Sequence, residues 1–156
     1  MSAKATEGAL VGRFERKLDA ARRISIPSEW FAVMGQPKRV VVMPHPEEPC
    51  LVLMTEQTFA AEIRAQKRMS AKSRKACKPL PDIEAEAERL DVNSRHCIRI
   101  SGRLLKYAKI RQWMVLTGNI RCIKIWNPAT LRNEESKSDP LYDEIEKAIQ
   151  AHPVSR

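Results

Sequence analysis

Paired cysteines, clustered histidines, glycine-rich loops and long apolar runs are all missing from this chain of 156 residues. Cys50, Cys77, Cys97 and Cys122 form no C-x-x-C, and His45, His96 and His152 stand far apart. Zinc-ligand spacing is therefore absent, and neither a metal nor a cofactor is expected. The N-terminal stretch Met1–Glu7 lacks the apolar core of a signal peptide, and no apolar run approaches membrane-spanning length. Reduced thiols in a cytoplasmic protein, with no membrane partner, are the expectation. No phosphate-cradling loop, no H-E-x-x-H and no Ser/His/Asp or Cys/His constellation is present, so neither an enzyme nor a small-molecule substrate is expected. His96 and Cys97 are neighbours, but adjacent strand residues point to opposite faces and cooperate poorly. They read as a surface histidine and a half-buried cysteine.

What the chain has in excess is positive charge. Lys and Arg number 28 against 19 acids, for a net charge of +9. The isoelectric point near 9.7 favours a polyanionic partner: DNA, RNA or an acidic membrane surface. The length allows one ordinary domain, or two small ones sharing a core, and a hydrophobic fraction of 43% is enough to build it.

A repeat organises the chain. Residues 17–27, KLDAARRISIP, return in worn form as residues 91–101, DVNSRHCIRIS, at an offset of 74. In each copy a polar, basic turn leads into Ile-x-Ile and then a helix start. The register continues without gaps: Phe31 meets Leu105, and Val40–Val42 meets Met114–Leu116. Shortening the first loop by two residues puts Leu51–Leu53 on Ile123–Ile125. Each half thus reads strand, polar turn, strand, short helix, strand, loop, strand. Ser28 and Ser101 stand where helix N-caps belong, Pro44, Pro46 and Pro49 confine residues 43–50 to a loop, and Gly118-Asn119 marks the matching turn. The predicted organisation is a first repeat over 8–55, a connecting helical segment over 56–88, a second repeat over 89–127 and a tail over 128–156.

Between the repeats, Thr55 is placed to cap a helix from Glu56 to about Ala76, with Phe59 and Ile63 on one face. Its later part carries Arg64, Lys67, Arg68, Lys72, Arg74 and Lys75, with Lys78 beyond, and no acid among them. That run can touch phosphates, or serve as a solvated face paired with Glu84, Glu86 and Glu88; the solvated face is preferred. Residues 82–88 read as a short helix passing into a strand at about Arg89. In the tail, Asn133–Ser138 reads as a flexible linker, followed by a helix with Leu141, Ile145 and Ile149 at helical spacing. Trp30, Trp113 and Trp126 fall on apolar positions, suited to core or subunit contact.

The turns carry the functional candidates. Arg16, Lys17, Arg22 and Arg23 gather four positive charges at the first, where Asp19 can hold the loop by accepting backbone N–H bonds or by pairing with Arg23. Arginine suits both guanine edges and phosphate. The second turn offers Arg95, His96 and Arg99, with Asn93 at the Asp19 position.

Leu18–Pro27 resembles the LDxKGRxxIP element of the MraZ family, which belongs to the AbrB-like swapped-hairpin proteins. Gly12-Arg13-Phe14, Pro49–Leu53, Ile98–Ser101, Leu104–Ala108, Val115–Gly118 and Ile123–Trp126 extend the similarity, which covers roughly residues 8–130. The resemblance implies a mainly β fold with short helices (α+β). More narrowly, it implies a double swapped-hairpin barrel of two tandem β-α-β repeats, with connecting and C-terminal helices. It also implies a ring-like homo-oligomer, associated with the nucleoid, that binds double-stranded DNA at promoter direct repeats and regulates the division and cell-wall gene cluster. The family's D-x-x-x-R motif falls on Asp19 and Arg23, and Arg22 replaces its usual glycine. In the ungapped register the second copy has Asn93 and Cys97 at these positions. A register shifted by two would supply Asp91 and Arg95 instead; the ungapped one keeps the alternation of Leu90, Val92, Ile98 and Ile100. The alternative from another class is an AbrB-like antitoxin whose tail binds a partner protein, and a weaker one is non-specific RNA binding.

Overall fold

A computed structural model of the chain describes residues 8–72, 83–137 and 148. The first half folds as β1 (Arg13–Lys17), β2 (Arg23–Ser25), α1 (Ser28–Val33), β3 (Arg39–Pro44) and β4 (Leu51–Thr55). Two helices follow, α2 (Glu56–Lys72) and α3 (Ile83–Glu86). The second half repeats the plan as β5 (Glu88–Asp91), β6 (Cys97–Arg99), α4 (Gly102–Tyr107), β7 (Trp113–Asn119) and β8 (Cys122–Trp126), and α5 (Pro128–Ser136) closes the described chain.

Six strands form one antiparallel sheet in the order β1-β7-β8-β4-β3-β5, while β2 and β6 pair only with each other. The pairing crosses between the halves. Lys17 lies opposite Trp113 and Asp91 opposite Arg39. The repeat offset of 74 carries Lys17 onto Asp91 and Arg39 onto Trp113, so the two pairs are the same contact seen from each half. Each half gives its first strand to the other half's third strand. Ile24 pairs with Ile98, its own repeat equivalent, which puts the pseudo-two-fold axis through the ribbon.

The mainly β, α+β architecture is as expected, but the sheet does not close into a barrel. Its end strands β1 and β5 are each hydrogen-bonded on one side only. The three-residue strands β2 and β6 leave the sheet at the turns and cover the core by packing, not by joining the ladder.

Alternation decides what each strand buries. Val40, Val42, Leu51, Leu53, Met114, Leu116, Ile123 and Ile125 face one way, onto the ribbon's Ile24, Ile26, Ile98 and Ile100 and the helix residues Trp30, Phe31, Leu104 and Leu105. On the opposite face Val41, Met43, Val52 and Met54 pack with Phe59 and Ile63 of α2. There too, Leu131 of α5 joins Val115, Trp126 and Cys50. Because both faces are covered, β3 and β4 read as continuous apolar runs. Each such side chain contributes about 1.5–3 kcal/mol by its burial.

Several local expectations are corrected. Pro27, not Ser28, holds the N-cap position of α1, and no side chain caps that helix, because Pro27 brings an extended backbone directly to Ser28. Ser101 does cap α4, accepting from the Leu104 N–H at 3.3 Å. β3 continues through Met43 and Pro44, paired with Val52 and Leu51, so the first loop starts later than its prolines suggest. Gly118 lies within β7; the close approach of Leu10, whose carbonyl group would stand 2.6 Å from any added Cβ, explains a glycine there. The stretch read as a linker from Asn133 is largely helical, because Asn127 accepts from Ala129 and Thr130 N–H and Pro128 opens α5. Glu86 and Glu88 both pair with Arg103. The run beyond Lys72 and the proposed helix at 141–149, Ala148 apart, lie outside the described residues. Trp30 and Trp126 are core residues, whereas Trp113 is 52% exposed.

His45 organises the β3–β4 loop. Its Nδ1 accepts from the Glu47 and Glu48 N–H groups, both at 3.0 Å, and its Nε2 lies 3.3 Å from the Glu48 carboxylate. Burial, opposed by Glu48, holds its pKa below the ordinary 6.5. A folded-state pKa below the unfolded one means that the unfolded chain takes the proton first as pH falls. The stability His45 confers is thus full above pH 6.5 and drains away as pH drops below it. Thermal unfolding of wild type and His45→Asn between pH 7.5 and 5 should show a steeper acid-side loss for wild type. Parallel curves would exclude His45 as a source.

Candidate nucleic-acid interface

Each turn is built around one side-chain oxygen. Asp19 Oδ1 accepts from Ala21 N–H and Arg23 N–H, both at 2.8 Å. Asn93 Oδ1 accepts from Arg95 N–H and Cys97 N–H, both at 2.9 Å. The backbones match as well: Arg22 donates to Asp19 O and His96 to Asn93 O, each at 3.0 Å. Thus the ungapped register describes the geometry, and an amide does in the second turn what a carboxylate does in the first. Asp19 anchors backbone, and no ion pair joins it to Arg23 among the described residues.

Two residues in these turns adopt the left-handed region that favours glycine: Arg22 at φ 61° and His96 at φ 62°. Their side chains go different ways. The Arg22 guanidinium lies over Gly102, so close that an added Cβ would meet its Nη1 at 3.0 Å. The His96 ring stacks on Phe31, with centroids 4.1 Å apart. His96 is half-buried as a result.

On the ribbon, Ile24 and Ile98 point inward and their neighbours outward. Arg23 lies directly opposite Arg99, and Ser25 opposite Cys97. Arg22, Arg23, Arg95 and Arg99 are all exposed, and among the described residues none of the four has a carboxylate partner. Like charges directly opposite on a sheet are destabilising, so the Arg23–Arg99 pair does nothing for the fold. Arg16 is differently used: its Nε donates to Ser25 O at 3.2 Å and its guanidinium lies 5.4 Å from the Phe14 ring. Lys17 extends over Trp113, with Nζ 5.7 Å from the ring centroid.

Arg111, which does not stand out in the sequence, and Trp113, read there as a core or subunit contact, join this surface. The β1·β7 pairing brings them to the first turn, and Leu18 N–H donates to Gln112 O at 2.8 Å. The signal was the repeat itself, but only cross-half pairing turns it into proximity.

Burial pushes the Cys50 thiol up to about 12 and raises Cys122 as well, which favours the neutral thiol in both. Cys97 Sγ lies 3.6 Å from Arg95 O. No group of three metal-ligating side chains occurs among the described residues.

Two substitutions test the turn. Asp19→Asn should leave the melting temperature nearly unchanged, since Asn93 makes the same bonds, whereas Asp19→Ala should lose about 1–3 kcal/mol. Arg22→Gly should gain about 1 kcal/mol by relieving the positive φ. Equal losses for Asn and Ala at position 19 would show that the accepted N–H bonds are not what holds the loop.

No family model matches the chain. A transcriptional regulator MraZ from Rhodospirillum rubrum is 25% identical over 135 residues, which span 84% of this chain and 87% of that protein. A match of that extent reaches into both repeats. The chain is a distant relative of the MraZ transcriptional regulators, as its two repeated turns imply.

Proposed function

We propose that this protein is a DNA-binding transcriptional regulator that reads promoter direct repeats through its ribbon and turns. The observation that carries the reading is the set of exposed arginines on the two-stranded ribbon and its turns, Arg22, Arg23, Arg95 and Arg99, with no carboxylate partner among the described residues. Adjacent like charges that weaken the fold are explained by a polyanion that neutralises them. Arg23 suits bidentate contact with a guanine edge, and the remaining cations suit phosphate. Asp19 and Asn93 fix the loops on which these groups ride.

A small ribbon offers few contacts, so assembly of several subunits into a ring, each presenting its turns to one repeat, supplies affinity by avidity. The exchange of first strands between the halves supports an AbrB-like swapped-hairpin unit. Kinship with MraZ supports control of the division and cell-wall gene cluster from a cytoplasmic, nucleoid-associated position. The described part of the tail packs Leu131 on this chain's own sheet, so the partner-binding alternative gains no support from it.

Arg23→Ala should abolish specific promoter binding in a gel-shift assay while its unfolding free energy stays within about 0.5 kcal/mol of wild type, as for other surface changes. Binding by wild type should weaken steeply with added salt. Undiminished promoter binding by the folded variant would remove Arg23 from the interface.

A further inference from the structure

Beside the first turn lies an open basin of about 810 Å³ whose rim includes Lys17, Asp19, Arg22, Gly102 and Arg111. Three of these are cations with no carboxylate partner among the described residues. Exposed Trp113 stands next to them, under Lys17. The pseudo-two-fold axis supplies an internal control, because every rim residue has a counterpart at the second turn. There the offset of 74 replaces Lys17 by Asp91, Arg22 by His96, and Arg111 by Pro37. Asp91 is ion-paired with Arg39, at 3.2 Å, and His96 stacks on Phe31. Of two equivalent places, one is satisfied within the protein and the other is left cationic and open.

Resting on the DNA-binding reading, we infer that this basin is a phosphate-binding site that takes the DNA backbone running off the first turn. Its cations grip one strand on one side of the ribbon only. The subunit therefore binds the duplex in a single direction, although its backbone is nearly symmetric. Lys17 and Arg22 lie on the turn itself. Arg111, in the α4–β7 loop, is the independent part of the site and contacts phosphate without reading sequence. A free phosphorylated ligand carries the same chemistry, and the experiment separates the two sources.

The affinity of wild type, Arg111→Ala and Arg121→Ala for promoter duplex is measured by fluorescence anisotropy across a salt series. Arg121 sits in the β7–β8 turn, 3.9 Å from Glu62, and serves as the control. Loss of one phosphate contact lowers the slope of log K against log salt by about 0.9. Arg111→Ala should show that drop, with equal weakening on promoter and unrelated duplex, and Arg121→Ala should not. Trp113 emission, identified by its loss in Trp113→Phe, should respond to duplex but not to millimolar inorganic phosphate or a mononucleotide. An unchanged slope for Arg111→Ala, with wild type still binding promoter, overturns the basin and leaves the ribbon reading standing. A Trp113 response to mononucleotide together with that unchanged slope makes the basin a small-ligand site and also overturns the proposal. Wild type that binds no DNA overturns both readings.

Discussion

Two backbone hydrogen bonds fasten the molecule across its own axis, and the rest of the structure depends on them. Ile26 N–H donates to the carbonyl of His96 at 2.8 Å, and Ile100 N–H donates to the carbonyl of Arg22 at 3.0 Å. In each case the acceptor is the one residue of the turn at positive φ. The unusual backbone angle thus aims a carbonyl at the other half. Glycine would adopt it freely; here arginine and histidine accept the strain, and each puts a side chain where glycine would put none. The ribbon's isoleucines reach the core only because these bonds hold three-residue strands that would be too short to persist alone.

Much of this was legible in the sequence. The recurrence of Ile-x-Ile after a polar turn gave the order of elements in both halves, since period-2 alternation survives even where residue identity does not. The pair Asp19 and Asn93 was visible for the same reason, both being side chains that fold back onto nearby N–H groups. The pairing between halves was not visible, because alternation says which face a residue takes but not which strand lies beside it. Arg111 was therefore missed, and the place of Trp113 beside the first turn could not be read. The helix at 128–136 was hidden by its polar composition; its start rests on Asn127 and Pro128, a two-residue signal. Trp113 is not a core residue because it opens β7 where β1 pairs with its backbone and leaves the ring exposed.

The charge pattern and the backbone pattern disagree in symmetry. The backbone treats the two turns alike, down to hydrogen bonds that match within a few tenths of an ångström. The side chains do not. Arg23 has Cys97 as its counterpart, and Arg99 has Ser25, so both arginines of the cross-strand pair fall at the first-turn end of the ribbon. Arg22 adds to that end, while His96 withdraws onto Phe31. A scaffold this regular serves to hold an irregular surface in fixed geometry.

The exchange of first strands has a consequence for how such a chain could arise. A single half, cut from the other, would lack the strand that completes its sheet and the partner of its short ribbon strand. It could bury its core only by embracing an identical copy, and both turns would then be the same by necessity. Joining the copies in one polypeptide removes that necessity. The second turn can then carry a cysteine where the first has an arginine, and an amide where the first has a carboxylate, on a frame they share.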